Sequence, residues 1–457
     1  MLEKNVEILN ETREKFLKMP LGKLIAANAM PAVASMLFMA LYQIIDGIMV
    51  GRRLGADALA SINVLYPIFA LMSGIAVMIG IGGNARIAVL LGAGDDKKAS
   101  RILGLIVLIG VIIGILFGSL NLIFMPQILN LLGSFEGNLG VLAGQYLMGF
   151  IPFYVFLILM FILEQSVRND GSPNLASGVM AGCALLNIAL DYIFLFVLDI
   201  GIIGASLASG ISQTVGGLIF VIYFIKKSKN KKSGLLFAKP ILNMNIFKGI
   251  VINGSSELFN SIAIGITTFL FNRMIITNVG AIGVASFSVV QYLLMIGMFI
   301  TLGIGNGCQP IFSYNHGAKL RKRVYGTLWR VGAICFIVGI MVFVLMIWQT
   351  TAAVQLFLPD QAEAIALSLE ISNYVKWSLL FMPLGMLASI YFTAIEQAKK
   401  SLIIAVSRSL AMPVIGLFLF TTVFGTVGIW ITPVFSELIT VLIFFYILQK
   451  KKANLYV

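Results

Sequence analysis

The amino-acid sequence predicts an all-α polytopic membrane protein, and three observations support this fold class. Of the 457 residues, 59% are apolar and only 11% are charged, whereas soluble domains average about 45–50% apolar and about 25% charged residues. The mean hydropathy is +1.00. The apolar residues form long runs, and the runs repeat along the chain. A water-soluble enzyme of several domains and a disordered chain are therefore both excluded.

Twelve apolar segments are long enough to cross a membrane as helices, since about 20 residues at about 1.5 Å each span a hydrocarbon core of about 30 Å. We place these segments at 24–50, 61–91, 102–125, 140–163, 174–197, 202–225, 249–278, 284–314, 327–348, 369–395, 401–424 and 427–449. The first twenty residues alternate charged and apolar side chains. This alternation predicts a short amphipathic helix rather than a signal peptide.

The positions of Lys and Arg predict the orientation. Most of the 32 basic residues lie near the two chain ends and in the loops that follow even-numbered segments, among them Arg168 and Arg408. Because such residues accumulate on the cytoplasmic side, we expect a multi-pass cell-membrane protein with both termini in the cytoplasm. Arg52 and Arg53 are exceptions at the outer face. The net charge of +13 therefore reflects membrane topology, and we expect no nucleic-acid partner.

Cysteine labelling tests this orientation. A cysteine replacing Glu363 is expected to react with a membrane-impermeant thiol reagent added to intact cells, because the distribution of Lys and Arg places position 363 outside. A cysteine replacing Lys231 is expected to react only after the membrane is permeabilised. The reverse labelling pattern would place both termini outside the cell.

An internal repeat divides the segments into two halves. GADALAS at Gly55–Ser61 corresponds to GAIGVAS at Gly280–Ser286, and LEQ at Leu163–Gln165 corresponds to IEQ at Ile395–Gln397. Because six segments per half is an even number, both halves enter from the same side. Parallel repeats of this kind enclose a midplane cavity in secondary transporters. We therefore predict two pseudo-symmetric six-helix lobes around a central cavity, with lobes at 1–225 and 249–457 and a Lys-rich cytoplasmic linker at 226–248.

Several ordered motifs make the chain resemble the MATE (multidrug and toxic compound extrusion) family over nearly its whole length. They are D-x-x-M-V-G at Asp46–Gly51, ARIAVLLGAGD at Ala85–Asp95, FILEQSVRNDGSP at Phe161–Pro173, NIALDYIFLF at Asn187–Phe196 and QPIFSYNHGAK at Gln309–Lys319. The acidic motif of the fourth segment and the pair Asn187 and Asp191 look similar to the DinF-like branch, which includes MepA-like efflux pumps. The resemblance implies export of bulky, often cationic amphiphiles driven by H⁺ or a metal cation.

Three polar residues of the first half are candidates for binding the coupling ion. Asn187 and Asp191 are one helical turn apart, so they share a face and offer oxygen atoms that suit a proton or Na⁺. Asp191 lies about 26 Å and Asp46 about 33 Å from the inner ends of their segments. Both therefore lie in the outer half of one lobe and can share one site. The alternatives are a helix-packing hydrogen bond for Asp191, and an outer cap or an Arg52 or Arg53 partner for Asp46.

Five further residues are candidates for the substrate cavity, because polar and acidic groups within a membrane are costly and are therefore functional candidates. They are Asn28, Tyr42, Glu164, Glu257 and Glu437. Glu257 and Glu437 lie about 12 Å and about 18 Å from the inner ends of their segments. Together they predict an acidic pocket for cationic drugs, and the alternative is two separate packing or solvated sites.

Two acidic residues occupy equivalent places in the repeat, near the inner ends of the fourth and tenth segments. Glu164 has Arg168 four residues later, so either an ion pair or a role in the cavity is open to it. Glu396 is followed by Lys399 and Lys400. For Glu396 we expect an ordinary surface ion pair with these lysines.

These features predict a secondary antiporter that exports small amphiphilic, cationic compounds in exchange for H⁺ or Na⁺ by alternating access. The alternative is a flippase or exporter of a lipid-linked saccharide, which is disfavoured because the charges within the membrane are mostly acidic. An enzyme is not expected, since His316 is the single histidine and the sequence has no Ser/His/Asp or Cys/His arrangement. The sequence also has no phosphate-binding G-x-x-x-x-G-K-[ST] motif, which argues against an ATP-driven pump. We expect no cofactor beyond the coupling ion, small-molecule substrates and membrane lipids as partners, and a monomer.

Overall fold

The computed structural model is a bundle of twelve long helices, which confirms the predicted fold class. It describes residues 11–132, 138–229, 234–357 and 362–453, and within these ranges there is no β-strand. The membrane-length helices are α1 (Leu21–Leu54), α2 (Tyr66–Ala93), α3 (Asp96–Ile123), α4 (Leu139–Asn169), α5 (Pro173–Val197), α6 (Ile202–Lys229), α7 (Met244–Asn278), α8 (Ile282–Gly317), α9 (Arg321–Trp348), α10 (Ala362–Ala394), α11 (Ala398–Phe424) and α12 (Thr426–Lys450). Helices α1–α6 form the N-terminal lobe and α7–α12 the C-terminal lobe.

The connection between the lobes is shorter than the predicted linker 226–248. Helix α6 continues to Lys229 and α7 begins at Met244. Lysines stabilise the C-terminal end of a helix through its dipole, so α6 extends beyond its apolar run. The described part of the connection is packed against the N-terminal lobe: Leu235 is fully buried, and its N–H donates to Asp170 Oδ1 at 3.0 Å.

The internal repeat is visible in the backbone. Gly55 follows α1 with φ 86° and ψ −176°, and Gly280 follows α7 with φ 91° and ψ −171°. Glycine is favoured at such positive φ values, which explains the glycine that begins both copies of the motif. The copies then differ, because Pro67 starts α2 after the separate helix Ala56–Val64. In the C-terminal lobe the corresponding helix continues without a break.

The two lobes meet along the half of the bundle that carries the described N-terminal residues. There α2 packs on α7 and α1 packs on α8 so closely that glycines are required. A methyl group on Gly82 would collide with the backbone of Ile250, and one on Gly307 would collide with that of Ala29. Small residues allow such close approach of membrane helices. This end of the bundle is therefore closed between the lobes.

The N-terminal segment, residues 11–19, lies across the closed end. Phe16 is 1% exposed and stacks on Tyr314 of α8 with ring centroids 4.4 Å apart. Arg323 of α9 donates through Nη2 to the carbonyl oxygens of Phe16 (3.2 Å) and Met19 (2.8 Å). Arg13 donates through Nη2 to Gly92 O of α2 at 3.1 Å. Because its contacts reach both lobes, the segment bridges them.

An ion pair also crosses between the lobes near this end. Arg86 Nη1 of α2 lies 2.8 Å and 3.0 Å from the two carboxylate oxygens of Glu396, which lies between α10 and α11. The expected surface pair of Glu396 with Lys399 or Lys400 is therefore wrong. Neighbours in the sequence suggested the lysines, whereas the docking of the lobes brings in a partner 310 residues away.

Candidate functional site

Asp46 of α1 and Asp191 of α5 lie side by side in the N-terminal lobe, close enough for their carboxyl groups to interact electrostatically. Asp191 is fully buried. Among the described residues, neither Oδ1 atom has a hydrogen-bond partner. Two carboxylates this close repel each other unless a proton or another cation lies between them. The pair is therefore suited to bind one H⁺ or one metal cation.

Polar groups of α5 and α6 complete this site. In the amide orientation that satisfies its hydrogen bonds, Asn187 donates to Asp191 Oδ2 at 3.2 Å and accepts from Ser209 N and Oγ, also at 3.2 Å. The Tyr146 hydroxyl of α4 lies close to Ser209. Ser209 and Tyr146 were not among the residues predicted for this site. Ser209 ends the sequence GIIGASLAS at Gly201–Ser209, whereas an isolated tyrosine in an apolar segment does not indicate a binding site.

The alternative partners considered for Asp46 do not contact it. Arg53 instead forms an ion pair with Asp199, with Nη2 2.7 Å from Oδ2. Both of these side chains are substantially exposed, at 40% and 59%. This pair lies at the end of the bundle opposite the closed end, where α1 and α5 end. The Asp46 carboxyl is thus left to face Asp191.

A cavity of about 60 Å³ adjoins the site. Its polar lining includes Tyr42, Asn187 and Gln213, and its apolar lining includes Met160 and Met180. A buried water needs on the order of 10–15 Å³ of such space, so the cavity has room for a few waters or a hydrated ion. It is too small for a bulky amphiphile in this conformation.

Two predicted cavity residues lie in packed protein. Asn28 is 1% exposed and donates to Leu24 O at 2.8 Å. Its backbone lies against Gly307 of α8, where the two lobes meet. Asn28 therefore borders no open cavity in this conformation, because α8 covers the first half of α1, and its role in the substrate cavity stays a prediction. Glu164 is 3% exposed and pairs with Arg168, so Arg168 lies inside α4 rather than in a loop.

The Glu164–Arg168 pair is held between α4 and α1. Arg168 donates to Glu164 Oε1 through Nη2 at 2.8 Å and through Nε at 3.1 Å. Its Nη2 also approaches Ser35 Oγ of α1 at 3.4 Å. A buried charge pair of this kind is stable only while both partners remain. In this conformation the pair is part of the lobe's interior.

The acidic residues predicted for the C-terminal lobe are accompanied by a cation. Arg408 donates through Nε to both carboxylate oxygens of Glu437, at 2.9 Å and 3.1 Å. Arg408 lies in a π-helical turn of α11, Ser407–Ala411, and not in a cytoplasmic loop as expected. It also lies within electrostatic range of Glu257 on α7. Arg408 therefore pairs with Glu437, and Glu257 lies nearby without an ion pair to another described residue.

The family assignment follows from the sequence. A family model described as MatE matches residues 31–193 and 258–419. Each matched segment begins within the first helix of one lobe, α1 or α7. The chain belongs to the MatE family. It is a multi-pass membrane protein of this family, and the two matched segments correspond to the two halves of the internal repeat.

Other proteins with a MatE-type sequence or fold match nearly the whole chain. The multidrug export protein MepA of Staphylococcus aureus (strain N315) is 28% identical over 418 residues, which cover 91% of this chain and 90% of MepA. A protein of the same name from Staphylococcus saprophyticus is 27% identical over 418 residues, with the same shares of the two chains. These alignments extend across both lobes.

Solved MatE-family structures share the fold. A crystal structure of MATE in complex with MaL6 has a TM-score of 0.89 at 23% identity and covers 97% of this chain and 98% of its own. A structure described as the outward-facing conformation of a multidrug resistance MATE family transporter has a TM-score of 0.88 at 23% identity, with 99% of both chains covered. The likeness establishes the twelve-helix MatE fold.

Proposed function

We propose that this protein is a secondary antiporter that exports small amphiphilic, cationic compounds in exchange for H⁺ or Na⁺. The contact between Asp46 and Asp191 carries the proposal. A buried carboxyl pair changes its net charge when it gains or loses one cation, and an ion-driven transporter needs such a change. Asn187 adds an amide oxygen or N–H to the same site, as expected for a group that holds Na⁺ or a proton.

The close packing of the two lobes at one end of the bundle supports alternating access as the transport mechanism. Parallel repeats transport by moving one lobe against the other around a central site. Here α1–α8 and α2–α7 contacts close the end that carries the N-terminal segment, and the pair Arg86–Glu396 adds an ion pair across it. Under the predicted orientation this end is cytoplasmic, and the conformation faces outward. Export then requires these interlobe contacts to separate and re-form in each cycle.

The charges of the C-terminal lobe favour cationic substrates. Glu257 and Glu437 face one guanidinium, so the cluster has an excess of one negative charge when all three groups are ionised. A cation in a low-dielectric cavity needs such a carboxylate to offset its desolvation. An anionic pyrophosphate would be repelled, which argues against the lipid-linked saccharide alternative. The names of the Staphylococcus relatives, multidrug export proteins, support the same substrate class.

Transport by purified protein in liposomes tests the proposal. A fluorescent cationic dye is added under an imposed pH gradient in one experiment and under an imposed Na⁺ gradient in another. We expect one of the two gradients to drive dye movement in the wild type and neither to do so in Asp191→Asn. Dye movement that depends on neither gradient would contradict ion-coupled antiport through this site. So would gradient-driven dye movement in Asp191→Asn equal to that in the wild type.

A second prediction concerns substrate charge. We expect Glu257→Gln to weaken binding and transport of monovalent cationic dyes much more than of neutral substrates, because a neutral substrate gains no Coulomb attraction from the carboxylate. Binding of one cationic and one neutral substrate to wild type and variant is compared at fixed pH. Ser255→Ala, two residues earlier on α7, serves as a matched control that keeps the charge, because the Ser255 hydroxyl donates to Ile252 O of the same helix at 2.8 Å. Equal losses for both substrates would assign Glu257 to packing or ion coupling instead.

A further inference from the structure

Glu437 forms an ion pair with Arg408, a cation that also acts electrostatically on Glu257. We propose that Glu437 is a positioning residue that sets charge selectivity: by binding Arg408, it keeps the Glu257 carboxylate free for a cationic substrate. The inference rests on the proposed role of Glu257. In this proposal Glu437 does not contact the substrate, whereas the sequence predicted that Glu257 and Glu437 form the substrate pocket together.

The first support is the geometry of the ion pair. Arg408 Nε donates to both oxygens of Glu437 at 2.9 Å and 3.1 Å, and the two side chains are only 16% and 12% exposed. The pair lies against Gly385 of α10, where a Cβ would be 2.9 Å from Glu437 Oε2 and 3.4 Å from Arg408 Cδ. The missing side chain at Gly385 thus leaves the space that the pair occupies.

The second support is the π-helical turn that carries Arg408. Ser409 Oγ donates to Asn260 Oδ1 of α7, and Thr267 Oγ1 of α7 donates to Ser409 O at 2.7 Å. These bonds fasten the turn to α7 beside Glu257, because Asn260 lies three residues after Glu257 on adjoining faces of the helix. A π-turn inserts one extra residue into a helix and often occurs at functional sites.

The third support is the state of Glu257. Its carboxylate makes no hydrogen bond or ion pair with another described residue, although it is only partly exposed. Arg408 is the charged group that acts on it electrostatically. Arg408 lies on the turn that Ser409 fastens to α7, so its guanidinium is near both Glu257 and Glu437. In this conformation Arg408 pairs with Glu437, so the Glu257 carboxylate has no ion pair with another described residue.

The charge balance gives an outcome that a simple acidic pocket would not. Removing the Glu437 charge releases Arg408, and a buried unpaired guanidinium moves to the remaining carboxylate because an isolated buried charge is costly. Glu257 is then neutralised and a substrate cation meets no net negative charge. Removing Arg408 as well should return Glu257 to the unpaired state. Loss followed by rescue is therefore the signature of positioning.

The experiment compares four variants for export and binding of a monovalent cationic dye and of a neutral substrate. Glu437→Gln is expected to lower cationic dye binding about tenfold or more, as Glu257→Gln does. The double variant Glu437→Gln/Arg408→Gln is expected to recover to within about threefold of wild type. Adding Glu257→Gln to that double variant should abolish the recovery. Binding of the neutral substrate should change little throughout.

The results separate the two proposals. If Glu257→Gln leaves cationic dye binding unchanged, the proposed cation site itself is wrong. If Glu257→Gln is impaired but Glu437→Gln binds like wild type, or the double variant is as impaired as Glu437→Gln, the positioning role is overturned. Should Glu437→Gln fail to fold, the double and triple variants still decide, because neither contains a lone released guanidinium. Cationic binding must then survive in the double variant and vanish in the triple one.

Discussion

Replacing Asp191 with Asn is expected to reduce export to near background while the protein still folds and inserts. The amide has almost the same shape as the carboxyl group and keeps its hydrogen bonds to Asn187. It removes one charge of the Asp46–Asp191 pair, so Asp46 no longer faces a second carboxylate whose repulsion a bound cation relieves. Dye efflux from proteoliposomes measures the loss, and detergent-solubilised yield checks folding.

Asn187→Ala is the matched comparison for this variant. It removes a neutral side chain of the same site and leaves both carboxyl groups in place. A neutral hydrogen bond contributes about 0.5–1.5 kcal/mol, so we expect a partial loss of export. Wild-type export by Asp191→Asn would instead leave Asp191 with a helix-packing role alone.

Arg168→Met is expected to have the largest effect on stability. It leaves the Glu164 carboxylate buried at 3% exposure with no charged partner. Breaking a buried pair by removing one member costs about 3–5 kcal/mol, whereas the methionine fills much of the space of the arginine. Thermal unfolding of the purified protein in detergent is expected to show a marked fall in melting temperature.

The control for this prediction is an exposed pair with the same spacing. Glu14 and Lys18 are also four residues apart, with Lys18 Nζ 2.5 Å from Glu14 Oε1, but they are 53% and 72% exposed. We expect Glu14→Gln to change stability by less than about 1 kcal/mol. The double variant Glu164→Gln/Arg168→Met should recover most of the loss. Equal melting temperatures for Arg168→Met and wild type would show that the buried pair does not stabilise the fold.

The helices and the depth of Asp46 and Asp191 were predictable from the sequence. Apolar runs fix where a helix crosses the membrane, and each residue advances by about 1.5 Å, so two acidic residues can be placed at similar depths. Depth does not specify which helix faces turn towards each other. The contact between Asp46 and Asp191, and the contributions of Ser209 and Tyr146, needed the packed structure.

The errors also have physical reasons. Arg408 was assigned to a loop because arginines usually lie outside the hydrocarbon, and neither the π-helical turn nor the Glu437 partner has a pattern in the sequence. The pair Arg86–Glu396 depends on how two lobes dock, which local spacing does not report. Asn28 shares a polar face with Tyr42, but only part of that face borders the cavity once α8 has packed against α1.

The N-terminal segment also determines an order of assembly. Phe16 and Arg323 are separated by 307 residues, so at about 5–20 residues per second a ribosome takes about 15–60 s to make the partner after the segment. During that interval only one of the segment's contact sites, Gly92 of α2, has been synthesised. Tyr314, on which the Phe16 ring stacks, is not yet present. Burial of Phe16 therefore occurs only after α8 and α9 have been inserted. A nascent or truncated chain that lacks them presents this phenylalanine to chaperones and proteases, whereas the finished bundle hides it.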